Sequence, residues 1–166
     1  MGKKKRQPGG TPATAKLDAL GLEYLVLTYD PEALEDLGSL GESVAHALGV
    51  DPPRMFKTLI TLVDGAPTCA IVPTSSELSL KALARAAGGK RAEMAAPADA
   101  EKWTGYVTGG ISPIGQARSM RRLVDASAED HEKVVVSAGK RGLQIELPVA
   151  ALLRASNATT APLCTP

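Results

Sequence analysis

Aromatic residues are scarce in this chain: Trp103, Phe56, Tyr24, Tyr29 and Tyr106 are the whole set, 3% of 166 residues. So few aromatics exclude a platform on which several bases stack, the device of many single-strand nucleic-acid binders. Cysteine is scarcer still. Cys69 falls in an expected strand and Cys164 in an expected tail, a placement that argues against a structural disulfide. His46 and His131 stand far apart, with no Cys or His at ligand spacing, so no zinc motif is visible and no metal is expected. Neither histidine has a nucleophile beside it in sequence. A long apolar run is missing as well, which excludes a membrane-spanning helix. The basic run Lys3-Lys4-Lys5-Arg6 leads into Gln7-Pro8-Gly9-Gly10 instead of an apolar stretch, which is not a signal-peptide pattern, and a cytoplasmic location is expected. Charge of one sign is absent too. The net charge of +1 supplies no global pull toward nucleic acid outside the basic start.

What is present is ordinary globular material, 44% hydrophobic and 22% charged, in a length that suits one domain with its own core. Residues 1–10 read as a disordered basic tail, 11–155 as a single folded domain, and 156–166 as a flexible C-terminal tail. Thr11-Pro12 opens a helix to Leu20 that stops at Gly21, and a strand is expected from Leu22 to Thr28. An acidic loop over 30–38 precedes a short helix capped by Ser39 with Glu42 and closed by Gly49. Lys57 to Val63 and Thr68 to Val72 are β-branched strands around Asp64-Gly65, a hairpin signal. Ser76 is expected to cap a helix with Leu80, Leu83, Ala84 and Ala87 along its buried stripe. A short helix over 97–103, strands at 123–124, 134–136 and 143–147, and a final helix opened by Pro148 complete the reading. The hairpin demands antiparallel pairing within a chain that alternates strands and helices, so the class is α+β with a mixed sheet. No dinucleotide or P-loop fingerprint is present.

Three segments carry more than fold maintenance. In Phe56-Lys57-Thr58-Leu59 a lysine starts an apolar strand. It either snorkels to solvent or points into a pocket, where its ammonium can hold a phosphate or ribose or polarise a carbonyl. The stretch Gly105-Tyr106-Val107-Thr108-Gly109-Gly110-Ile111-Ser112-Pro113-Ile114-Gly115 holds four glycines and a proline in eleven residues. It is either a tight connection or a loop that offers backbone N–H groups to an oxygen bearing negative charge. Ser137-Ala138-Gly139-Lys140-Arg141-Gly142-Leu143 is either a solvated turn or a clamp for an anionic group.

Together and in this order, with the Thr11-Pro12-Ala13 helix start and Tyr29 after the first strand, these motifs resemble the YbaK/EbsC family over roughly residues 11–155. The family comprises free-standing relatives of the editing domain of bacterial prolyl-tRNA synthetases. The resemblance implies a mixed, partly barrel-like β-sheet flanked by helices, and hydrolysis of the ester in mischarged tRNA, mainly cysteine on the proline tRNA. Cysteine and proline differ so little in size that a synthetase pocket alone discriminates poorly, and a second hydrolytic sieve is the remedy. In this family the substrate's own thiol is thought to attack its carbonyl, leaving a cyclic thiolactone (formally a lyase step). The protein then supplies positioning and oxyanion stabilisation, not a nucleophile.

Carried onto this chain, the resemblance implies Lys57 as the group that orients the terminal adenosine or the aminoacyl group. Gly109 and Gly110 are the implied oxyanion donors, with Pro113 rigidifying their loop. Tyr29, Thr58, Ile111, Ser112, Pro113, Ser137 and Gln144 are the implied substrate contacts. No cofactor is called for, and the implied partners are misacylated tRNA and prolyl-tRNA synthetase. Two positions depart from the family pattern. No histidine follows Tyr29, and Gln144 stands where an aspartate is common, a residue that could hold the substrate ammonium. An editing deacylase that prefers another acyl group, such as alanyl, and a non-enzymatic tRNA- or synthetase-binding module stay as alternatives.

Overall fold

The structure is a computed structural model that describes residues 10–165. The basic run and all but the last residue of the expected disordered segment lie outside the described residues. Thr11 caps α1 (Pro12–Ala19): its side chain accepts from the Thr14 N–H, and Pro12 fills the first turn, where no N–H is needed. The helix ends as glycine helices commonly do. Gly21 takes φ +68°, and the Leu22 N–H returns to the Leu17 carbonyl at 3.0 Å. That bond holds Leu22 in the helix cap, so β1 (Leu25–Thr28) starts three residues later than the pattern predicts.

The next helix, α2 (Leu40–Leu48), is capped by Ser39 and closed by Gly49 at φ +67°, as expected. Two long strands follow, β2 (Phe56–Val63) and β3 (Ala66–Pro73). Asp64 and Gly65 both have positive φ, +49° and +81°, the type I′ geometry that matches strand twist. The helix α3 (Leu80–Ala86) is capped by Ser79, not Ser76, and Leu80 lies at the surface. The Ser76 N–H closes a turn onto the Pro73 carbonyl instead, which shifts the helix start by one turn. A short strand absent from the sequence reading, β4 (Ala92–Met94), leads to α4 (Pro97–Thr104). The remaining elements are β5 (Arg121–Asp125), β6 (Lys133–Lys140), β7 (Leu143–Pro148), α5 (Val149–Ser156) and β8 (Thr159–Ala161).

These strands form two sheets, β1-β7-β6, all antiparallel, and β4-β2-β3-β5-β8, in which β3-β5 and β5-β8 are parallel. A parallel bridge between Met55 and Val135 stitches the sheets together, giving the mixed, partly barrel-like α+β architecture expected. The β2-β3 ribbon separates two cores. Phe56, Ile60, Cys69 and Ile71 face the main core, whereas Val63, Ala70 and Val72 face a second one with Leu83, Leu123 and Leu163. No helix of the described residues is long and apolar enough to cross a membrane.

The segment after Ser156 is not a flexible tail. Asn157 turns the chain at φ +58°, β8 adds parallel to β5, and Leu163 is fully buried. Asp125 holds it: one carboxylate oxygen accepts the Leu163 N–H at 2.8 Å, and the Leu163 carbonyl accepts from the Ser79 N–H at 2.7 Å. Burial works against the charged carboxylate of Asp125, but hydrogen bonds from Ser127 and Leu163 outweigh it and hold the group below its usual range. Its contribution to stability is therefore complete above the ordinary value of 3.8 and lost as pH falls through the lower folded value. Asp125→Ala should melt earlier than wild type at pH 7, and the gap should close below pH 3.8. Melting curves over pH 2–7 check it, and a gap that persists into acid refutes the assigned role.

Candidate functional site

A cavity of about 370 Å³ opens along the edge of β2 between Phe56 and Ile60. That edge is bare up to Leu59, because β4 pairs only with Thr61–Val63 and the Ala95 N–H just beyond it donates to the Ile60 carbonyl at 3.0 Å. The cavity therefore meets side chains from both faces of the strand, Phe56, Thr58 and Ile60 from one and Lys57 and Leu59 from the other. The facing wall comes from β6 and β7, where Ser137 and Gln144 are cross-strand partners, and from Tyr29 just beyond β1. Thr108, Gly109 and Ile111 of the glycine loop close one side. Thus Tyr29, Lys57, Thr58, Gly109, Ile111, Ser137 and Gln144 converge from five separate parts of the chain.

Gly110, Ser112 and Pro113 do not line it. The Gly110 N–H donates to the Val107 carbonyl at 2.9 Å, closing a turn, so it is not free for an oxyanion. The N–H groups of Gly109 and Ile111 flank that turn without a protein partner and are the donors the loop offers. Ser112 is fully buried and its hydroxyl accepts the Ile114 N–H at 3.2 Å, a loop-internal bond. Pro113 is buried beside it.

The glycines matter by allowing close packing. A Cβ on Gly110 would sit 3.0 Å from the Arg141 backbone nitrogen, and one on Gly139 would sit 2.5 Å from the Tyr106 ring. Tyr106 latches the loop, its hydroxyl donating to the Ile114 carbonyl at 2.7 Å. Burial pushes that phenol up to about 12, so the latch stays protonated. Arg141 lies over Gly109, with its Nε 3.0 Å from where a Cβ would be.

Sequence reasoning missed a third side of the cavity. Ser39, Leu40, Gly41 and Val44 bring the start of α2, and Thr74, Met94 and Ala95 complete it. Gly41 is needed there, since a Cβ would stand 2.6 Å from the Thr74 methyl.

Chemically the site is spare. Among the described residues Lys57 is its one cation, and Thr58 presents a buried hydroxyl with no hydrogen-bond partner there. No histidine or cysteine lines the cavity among the described residues. Cys69 lies in the main core, and burial pushes its thiol up to about 11, which keeps it from acting as a thiolate. His46 is exposed, 3.2 Å from Glu35. Among the described residues no group of three metal-ligating side chains comes together. Such a cavity can hold and polarise a carbonyl but brings no side-chain nucleophile–base pair.

Residues 35–155 match the aminoacyl-tRNA editing domain family. The chain is 43% identical over 125 residues to EbsC of Enterococcus faecalis, a protein named as a candidate Cys-tRNA(Pro)/Cys-tRNA(Cys) deacylase; the match covers 75% of this chain and 76% of that one. It is 34% identical over 94 residues to the proline–tRNA ligase of Maridesulfovibrio salexigens, covering 54% of this chain and 16% of the ligase. A crystal structure of a candidate trans-editing enzyme for prolyl-tRNA synthetase superposes with a TM-score of 0.83 at 19% identity, over 96% of this chain and 99% of the other, which shows a shared fold. The match over most of the chain, on a fold whose bare β2 edge brings Lys57 to the glycine loop, settles the assignment: the chain belongs to the aminoacyl-tRNA editing domain family.

Proposed function

We propose that the protein is a deacylase that removes cysteine from mischarged Cys-tRNA(Pro). The observation that carries the reading is the cavity itself, with Lys57 and the free Gly109 and Ile111 N–H groups around a space that holds no histidine or cysteine. An aminoacyl ester needs little more. The substrate thiol attacks its own carbonyl, the new C–S bond closes a thiolactone, the ester C–O bond breaks, and the terminal ribose hydroxyl leaves with the proton. The N–H pair faces the carbonyl oxygen as it gains charge, and Lys57 orients the ribose or the acyl group. Tyr29, Thr58, Ser137 and Gln144 line the acyl pocket. In this reading the discrimination of tRNA(Pro) from other tRNAs comes from prolyl-tRNA synthetase as a partner.

Deacylation of Cys-, Ala- and Pro-tRNA(Pro), each with and without the synthetase, tests the proposal. Cys-tRNA(Pro) should turn over fastest and Pro-tRNA(Pro) should survive. Preference for the alanyl ester would favour the second reading, a deacylase for another acyl group, which the Gln144 substitution supports. S-methylated Cys-tRNA(Pro), which has no nucleophilic thiol, should be cleaved at least about a hundredfold more slowly, since a well-placed intramolecular nucleophile is worth an effective molarity of about 10⁵–10⁸ M. Equal rates would refute thiol assistance.

A further inference from the structure

Among the described residues no Asp, Glu or His lines the cavity; the Lys57 ammonium and the Tyr29 phenol are its ionisable groups. The enclosed polar groups are neutral. Gln144 is only 7% exposed, and its side-chain amide takes no hydrogen bond from another described residue. It stands opposite Ser137 on one side and Leu27 on the other in the β1-β7-β6 sheet. Across the space, the Thr58 hydroxyl is enclosed and equally unpartnered. An α-ammonium brought here would lose water and meet the Lys57 cation with no carboxylate in the wall (Glu101, whose carboxylate accepts the Thr108 N–H at 2.7 Å, stands outside the lining), and both effects disfavour its charged form. A neutral amine would meet an amide that both donates and accepts, and a carbon with no amine brings no charge to desolvate.

We infer that Gln144 sets acyl-group selectivity: the cavity holds the atom group beside the ester carbonyl as a neutral function against the Gln144 amide. It therefore takes acyl groups that carry no ammonium at least as well as α-aminoacyl groups. The inference rests on the reading of this cavity as the ester site.

The test uses two non-hydrolysable analogues, the alanylamide and the propionylamide of 3′-amino-3′-deoxyadenosine, which differ only in the α-amine. Their binding to the full chain is measured by calorimetry at about pH 6.5, where an α-amine of pKa about 8 is charged. The propionyl compound should bind wild type as tightly as the alanyl compound or more tightly. Gln144→Glu should swing the ratio toward the alanyl compound by about tenfold, the equivalent of one pKa unit. Lys57→Met should swing it the same way without touching β7, which keeps the inference testable if the β7 variant does not fold. Tighter binding of the alanyl compound by wild type, or no swing in either variant, overturns the inference alone. No binding of either compound overturns the ester-site reading, and the inference with it.

Discussion

Lys57→Ala is expected to lower kcat/KM for Cys-tRNA(Pro) deacylation by about 10²–10³-fold, the usual cost of removing one preorganised donor from a developing oxyanion or its frame. The size of the effect follows from the site's poverty. Among the described residues Lys57 is the single cation on the cavity wall, and the other donors are two backbone N–H groups, the Gln144 amide and a few hydroxyls. None of the other described residues in that wall carries a positive charge to take over. Lys57→Arg should not restore the rate, because a broad planar fork cannot place one N–H where a compact ammonium sits. Single-turnover deacylation gives the rate, and melting curves of the same samples show that the fold persists. A rate for Lys57→Ala within about threefold of wild type, a difference under 1 kcal/mol, would remove Lys57 from the site.

Gly115→Ala is expected to cost the fold about 3 kcal/mol. Part of this, about 1 kcal/mol, is the left-handed backbone at φ +76°. The rest is overpacking, typically 1–3 kcal/mol. The new Cβ would lie 2.7 Å from the Pro12 carbonyl carbon and oxygen and 2.9 Å from the Ala13 nitrogen. Those are backbone atoms of the first turn of α1, and no side chain can rotate away. Relief requires the helix start to move, which also strains the Thr11 hydroxyl bond to the Ala138 carbonyl at 2.7 Å. The melting temperature should fall by about 6–12 °C for a domain of this size. Gly65→Ala is the control: φ is similar at +81°, but nothing stands within 4 Å of its Cβ, so only the backbone cost of about 1 kcal/mol applies. Equal losses in the two variants would show that the clash with α1 is not felt.

Local chemistry made part of this fold legible. Asp64-Gly65, Thr11-Pro12 and Ser39 with Gly49 act within a few residues, and each appears where its pattern points. Lys57 was legible because a charge at the head of an apolar strand has few explanations. The strand β8 was not, since its partner is β5 and its anchor is Asp125, 38 residues before Leu163. No local pattern records such a pairing. The glycine loop was legible as a place but not as a mechanism. An absent Cβ serves anion contact and close packing alike, and only the Gly110 bond to Val107 tells which glycine does which. The wall formed by Leu40, Gly41, Thr74 and Met94 left no signal, because apolar and neutral residues look the same in a core and in a pocket.

The pairing of β1 with β7 has a consequence for how the molecule comes into being. Leu25 meets Glu146 and Thr28 meets Leu143, so one of the first strands to emerge during synthesis finds its partner only after most of the domain has been made. Closing so long a loop is slow, and until it closes Tyr29 has neither Ser137 nor Gln144 beside it. A nascent or truncated chain can thus build the β2-β3 ribbon early yet hold no complete cavity. Ester cleavage then becomes a late property of the chain, and its appearance times the final docking of the β1-β7-β6 sheet.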